Sequence, residues 1–377
     1  MTWSVTIAKK IIAEPKQSFS KFIIRLSIAA TAISVAAMLV TLCLVNGFQK
    51  KVSEKVFAFW GHIHVQSYNQ GSALISEEIP FRDTQNLQKT ISAIPGVLSI
   101  QPYATKGAIL KKDDIFSGII LKGIDVHFDW ESFGSFITAG NKIAFSEEMY
   151  SRQIMLSKKL SDELKATVND SILLYFLRGE NNIQYRKVRV VGIYKTGIEE
   201  YDQNFVLTDI RLLRKMNVWD STQVGGYEVR VKNIDKLDSI NSTIDDELPS
   251  GLNSLTIRKQ YPNIFDWLDV QHKTKWIVII IMAVVAIINL VTCLLIIVLE
   301  RAKMVGLLQA LGAGNYSIRQ IFLYYAFYIS ILGIAFGALL GLGLCWAEYY
   351  FHFLPLYLIF PLLPLLNRTS TILYLMR

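Results

Sequence analysis

Cysteine is nearly absent from this chain. Three occur in 377 residues (Cys43, Cys293 and Cys345), each inside an apolar run. The polar stretch over residues 49–275 has none, which excludes disulfides and thiolate-held zinc there. Charge is also scarce, at 19% against 52% hydrophobic residues, with a mean hydropathy of +0.33. A soluble domain carries more charge than that. The net charge of +8 comes from Lys and Arg scattered along the chain. Without a dense basic run, it reads as the flanks of a membrane protein and excludes a nucleic-acid partner.

Catalytic signatures are missing too. No G-x-x-x-x-G-K-[ST] phosphate loop occurs, so the chain is expected to hydrolyse no ATP alone and to carry no cofactor. G-x-S-x-G, H-E-x-x-H and C-x-x-C are also absent. His62-Ile63-His64 is the one metal-like spacing, since alternate strand residues share a face. It lacks a carboxylate partner in its segment and reads as an interfacial polar pair, so no metal is expected. The doublets Glu77-Glu78, Asp113-Asp114, Glu199-Glu200 and Asp245-Asp246 are sequence neighbours whose side chains diverge. They read as solvated turns and helix ends, not acid/base pairs.

What the chain does have is long apolar runs. Residues 22–48, 276–299 and 321–346 each exceed the ~20 residues a helix needs to cross ~30 Å of hydrocarbon. Lys9, Lys10, Lys16 and Lys21 precede the first, which places residues 1–21 in the cytoplasm. Residues 49–275 then lie outside, and residues 300–320, with Arg301, Lys303 and Arg319, return to the cytoplasm. Residues 347–377 form an atypical fourth region, truncated or irregular, because Pro355, Pro361 and Pro364 oppose a regular spanning helix. Gly333, Gly337 and Gly341 recur every four residues and make a face where another helix can come close.

The outer stretch reads as strands over 108–111, 118–121, 171–176, 187–194, 205–207 and 226–232, on its β-branched and aromatic content and its Gly, Asp and Asn boundaries. Leu156, Leu160 and Leu164 suggest a helix over 154–166, and Ile234, Leu237, Ile240 and Ile244 another. The expected fold is an integral membrane α-helical bundle with a large α+β domain inserted between helices 1 and 2. Three transmembrane helices are clear, and a fourth is incomplete or irregular.

Between the second and third apolar runs, Glu300 to Gly314 forms a short connector, charged at its start and glycine-broken at its end. Four stretches then carry a family resemblance. Val45-Asn46-Gly47-Phe48 is similar to an N-G-F signature, and Leu121-Lys122-Gly123-Ile124-Asp125 to a G-[IV]-D segment. Val191-Gly192-Ile193-Tyr194-Lys195-Thr196-Gly197, running on to Asp202, resembles a V-x-G-I-[FY]-K-T-G-x-x-x-x-D run. Glu300, Arg301, Val305, Gly306, Leu308, Ala310, Leu311, Gly312 and Ala313 resemble a coupling-helix motif. Together they resemble the FtsX-like, MacB-type ABC-transporter permeases, and most closely the lipoprotein-releasing (Lol-type) subunits.

That resemblance implies a non-catalytic subunit of a Gram-negative inner membrane, driven by a cytoplasmic ABC ATPase that binds ATP and Mg. Its implied partners are a second permease copy or homologue, a lipoprotein substrate, a periplasmic lipoprotein carrier and membrane lipids. Phe48, Val52, Val56, Phe57, Phe59 and Trp60 read as an acyl-facing collar or an aromatic interface belt. The family's carrier loop falls on Arg178, Glu180, Asn182 and Tyr185. Within the same architecture the alternatives are MacB-type efflux and FtsX-like mechanotransmission. A membrane-anchored periplasmic enzyme ranks below both.

Overall fold

The computed structural model describes residues 18–68, 78–82, 85–146, 149–178 and 182–351. The basic N-terminal segment, Glu77, Glu180 and the proline-rich fourth region all fall outside those residues. The chain divides into two units, one of Met1–Lys50 with Asp266–Arg377 and the other of Lys51–Phe265.

In chain order the helices are α1 (Ser18–Trp60), α2 (Gln85–Ala93), α3 (Trp130–Phe133), α4 (Lys158–Glu163), α5 (Glu199–Asn204), α6 (Ile210–Asn217), α7 (Leu237–Glu247), α8 (Ile257–Gln260), α9 (Pro262–Glu300), α10 (Ala302–Ala310) and α11 (Asn315–Phe351). Among the described residues, α1, α9 and α11 are long and apolar enough to cross a membrane. Both α1 and α9 extend beyond the apolar runs that mark them in the sequence. Residues 49–60 and 262–275 carry no helix breaker once Pro262 has taken the first turn.

The strands are β1 (Ile63–Ser67), β2 (Phe81–Arg82), β3 (Val97–Lys112), β4 (Ile115–Ile124), β5 (Ile137–Gly140), β6 (Gln153–Ser157), β7 (Ser171–Arg178), β8 (Asn182–Tyr194), β9 (Phe205–Asp209), β10 (Gln223–Val224), β11 (Gly226–Val231) and β12 (Leu252–Thr256). The pairings close on themselves: β3 with β4, β4 with β9, β9 with β6, β6 with β8, β8 with β7, and β7 with β3. Six strands therefore form a ring. Every second residue points into it, including Leu110, Ile119, Leu121, Ile172, Leu174, Val188, Val190 and Val206, all buried in one apolar cluster. Each such side chain contributes about 1.5–3 kcal/mol on leaving water.

The first half of β3 continues into an antiparallel extension, β3-β11-β1-β12, which α2 and α7 cover with Leu87, Ile91, Leu237, Ile240 and Ile244.

One expected helix is corrected. Residues 153–157 are strand β6, and only Lys158–Glu163 is helical. Ile154, Met155 and Leu156 are all fully buried, so both faces of β6 are covered. A strand covered on both faces shows no alternation, and its leucines mimic a helical stripe. Ser157 then caps the helix, its Oγ accepting from the Leu160 amide.

Candidate functional site

The connector is a helix with defined ends. Helix α9 stops at Glu300, Arg301 turns, and α10 runs over Ala302–Ala310. It terminates in a paired C-cap: Ala313 N–H donates to Leu308 O and Gly312 N–H to Gln309 O. That cap needs a left-handed residue at Gly312, whose φ is +87°. Val305, Leu308 and Ala313 are half-buried, whereas Gly306, Ala310, Leu311 and Gly312 are exposed. Leu307 at 63% and Leu311 at 77% exposure are large apolar side chains with nothing over them. With the open space above Gly306, they form an apolar ridge at i, i+4 spacing. Leu307 was missed because the motif counts residue identities, not the outward face.

The glycine stripe of α11 faces α1. A Cβ on Gly333 would lie 2.8 Å from Thr31 Cβ, and one on Gly337 2.6 Å from Ala32 O. One on Gly341 would lie 3.0 Å from Leu39 Cβ. Ala32 and Ala36 are the small residues opposite.

Asn46 and Phe48, at the outer end of the first apolar run, staple α1 to α9. Lys275 Nζ donates to Asn46 Oδ1 at 2.8 Å, Gln49 Nε2 donates to Leu268 O at 2.9 Å, and Phe48 meets Trp267 edge-on at 5.4 Å.

The last turn of α1 ends inside the outer domain. Phe59 stacks on Tyr201 at 4.9 Å and meets Phe133, Tyr194 and Phe205, while Trp60 stacks on Tyr261 at 5.7 Å. Val56, Phe57, Phe59 and Trp60 are buried, and Val52 is half-buried. The expected acyl-facing collar is therefore corrected. Phe57, Phe59 and Trp60 are domain core, because the helix runs on beyond the apolar run and the domain folds around its end, and Phe48 is covered beside Trp267 of α9.

Four consecutive carbonyls there, the ones a helix C-terminus leaves open, are all taken. Gly61 N–H donates to Phe57 O, Arg230 Nη2 to Ala58 O at 3.0 Å, Lys122 Nζ to Phe59 O, and His64 Nε2 to Trp60 O at 2.9 Å. Glu228 ties the donors together. It pairs with Lys122 at 2.6 Å, accepts from Gln101 Nε2 at 2.6 Å and lies 3.8 Å from His64. Lys122 Nζ also sits 4.2 Å above the Trp60 ring. Arg230 reaches Asp129 at 3.1 Å.

Residues 26–247 match the MacB-like periplasmic core domain, and residues 276–375 match the FtsX-like permease C-terminal domain. The chain belongs to the MacB-like, FtsX-like permease family.

The permease is 24% identical over 347 residues to the lipoprotein-releasing system transmembrane protein LolC of Neisseria meningitidis serogroup B, covering 87% of this chain and 79% of that protein. It is 20% identical over 334 residues to LolE of Haemophilus influenzae, covering 87% and 78%. The macrolide export ATP-binding/permease protein MacB of Marinobacter nauticus is 25% identical over 271 residues, covering 68% of this chain and 40% of that protein.

In the permease, Lys195-Thr196-Gly197 and Asp202 form one closed loop. Asp202 Oδ1 accepts from the Thr196 amide at 2.9 Å and hydroxyl at 2.8 Å, and Oδ2 from the Gly197 amide at 2.9 Å. Gly197 has φ +74°, which any side chain would strain. The loop places Tyr201 against Phe59.

Arg178 and Asn182 close the ladder between β7 and β8, with Glu180 outside the described residues. Tyr185 is exposed beside Tyr175 at 5.9 Å.

His62 and His64 are interior residues, not an interfacial pair, and among the described residues no group of His, Cys, Asp and Glu could hold a metal. His64 Nε2 donates to a carbonyl, so its Nδ1 accepts from the Tyr103 hydroxyl, while His62 Nδ1 accepts from the Val231 amide. Both rings are therefore neutral, and burial pushes each down from 6.5 to about 4. A depressed folded-state pKa contributes stability present above 6.5 and lost as pH falls through about 4. Thermal unfolding of the full chain in detergent is expected to drop steeply between pH 6.5 and 4. A His64→Gln variant should show a shallower slope across that window.

Proposed function

We propose that this chain is the transmembrane permease subunit of an ABC transporter that lifts lipoproteins out of a Gram-negative inner membrane. ATP hydrolysis on a separate cytoplasmic subunit drives it, and a periplasmic carrier receives the cargo. The observation that carries the reading is the exposed Gly306-Leu307-Ala310-Leu311 ridge, on a helix joining two membrane-length helices in a chain without a phosphate loop. Such a ridge is suited to a soluble partner that supplies the ATP and Mg chemistry.

The topology follows the charge pattern, with the N-terminus and α10 on the cytoplasmic side and the β-rich domain in the periplasm. A second permease, either another copy or a homologue, completes the assembly. The names of the Neisseria and Haemophilus relatives support lipoprotein as cargo, and so does the Lys-Thr-Gly…Asp loop. The energetics agree: each buried acyl CH₂ resists extraction by ~0.8 kcal/mol, so a multiply acylated anchor does not leave the bilayer unaided.

The test is reconstitution of the assembled transporter in liposomes with an acylated lipoprotein and a soluble acceptor. ATP-dependent transfer is the expected result. Intact ATP hydrolysis without transfer would reject this cargo and favour MacB-type efflux.

The docking face has its own test. Leu307→Glu combined with Leu311→Glu alters exposed positions only, so folding should survive. ATPase affinity should fall at least ~tenfold, about 1.4 kcal/mol. Unaltered co-purification of the ATPase subunit would remove the ridge from the interface.

A further inference from the structure

The capped end of α1 places two cations and a neutral imidazole on three consecutive helix carbonyls, each donor coming from a strand of the outer domain. Lys122 stands on β4, Arg230 on β11 and His64 on β1. A C-terminal helix end attracts cations. Here Glu228, itself buried on β11, bonds or faces the donors from β4 and β1. Gln101 on β3 and Asp129 just before α3 extend the network to two further elements.

Buried charges of this kind cost desolvation, and the Lys122–Glu228 pair by itself adds little net stability. Their distinct property is directional. Three side-chain bonds to successive carbonyls fix both the axial position and the rotation of the helix end, in addition to the ring packing of Phe59 and Trp60.

We infer that Lys122, Arg230 and His64, organised by Glu228, are positioning residues. They make the end of α1 move as one body with the outer domain, so that displacement of the helix becomes displacement of the domain. This inference rests on the transport reading for its purpose, while the rigid hold itself does not depend on the cargo.

The experiment uses the full chain assembled with its ATPase and second permease subunit. Lys122→Met with Glu228→Gln removes both members of the charge pair together, so no uncompensated ion is left buried. Two readouts are taken. The first is the distance between spin labels at Lys51 on α1 and Asp238 on α7, both exposed, in a background lacking the three cysteines. In the parent chain that distance is expected to be the same and narrow with and without ATP. In the double variant it should broaden or differ between the states. The second is lipoprotein released per ATP hydrolysed, expected to fall at least ~tenfold while ATP hydrolysis persists, a ~1.4 kcal/mol loss of coupling.

A parent distance that changes with nucleotide overturns the inference, because the helix would then slide in its hold. So does a folded double variant with a narrow, unchanged distance. If no lipoprotein moves even in the parent, the cargo reading fails, and the distance measurement still decides the hold. Lys122→Arg, which keeps a cation over the same carbonyl, is expected to recover the narrow distance at least in part.

Discussion

Gly337→Leu should strongly reduce the stability and yield of the folded protein. A Cβ at that position would stand 2.6 Å from Ala32 O and 2.7 Å from Val35 Cβ, so the obstacle includes backbone as well as a side chain. The helices would have to separate. In a bilayer, helix contact depends on close van der Waals approach and not on expulsion of water, so separation removes the attraction itself. Overpacking typically costs about 1–3 kcal/mol where neighbours can shift, and a fixed carbonyl shifts least. Gly343→Leu on the same helix is the control, since nothing lies within 4 Å of its added Cβ. Size-exclusion profiles and thermal unfolding in detergent should rank Gly337→Leu far below Gly343→Leu. Gly341→Ala, with contacts starting at 3.0 Å, should fall between them. Equal behaviour of the two leucine variants would mean that α1 and α11 do not pack through this face.

Much of the fold was legible from composition and spacing. β-Branched and aromatic residues between Gly, Asp and Asn boundaries mark β7, β8, β9, β11 and parts of β3 and β4, and Leu237, Ile240 and Ile244 mark α7 by their spacing. The connector was legible for a different reason, since three charged residues (Glu300, Arg301, Lys303) and three glycines (Gly306, Gly312, Gly314) stand between two long apolar runs. Burial on both sides misled the reading at β6 and at the end of α1. Ile154-Met155-Leu156 lost alternation inside the ring, and Phe57, Phe59 and Trp60 resembled an interface belt although the domain encloses them.

The ionic hold on α1 was the least visible feature. In Tyr227-Glu228-Val229-Arg230-Val231 the charged pair falls on the alternate face, which ordinarily means solvent. Both are buried because the end of α1 covers that face, a fact set by residues about 170 positions away. A usable signal did exist: β11 is flanked by strands on both sides, and opposite charges at i and i+2 on a central strand suggest pairing with something that covers them.

Asp202→Ala should be the most damaging change in the outer domain. The Asp202 carboxylate is buried and accepts from two amides and a hydroxyl, at 2.8–2.9 Å. Bonds to an ionised acceptor contribute about 1.5–3 kcal/mol each and do not add fully, so a loss of about 3–5 kcal/mol is expected. Alanine also leaves the Thr196 and Gly197 amides open. Asp202→Asn keeps one carbonyl acceptor on an isosteric side chain and replaces the other oxygen with a donor facing an N–H. It should therefore retain part of the stability, about half or less.

The damage should spread beyond the loop. Tyr201 is the next residue back and forms the closest aromatic contact of Phe59, so loosening 196–202 uncovers the same helix end that Lys122 and His64 cap. Hydrogen exchange on the full chain can separate the two effects. In Asp202→Asn, faster exchange confined to 196–202 would mark the loop as a local structure. Faster exchange extending to 57–60 would show that the Lys-Thr-Gly…Asp motif is retained for the helix it holds. The direct stacking of Tyr201 on Phe59 favours the second outcome.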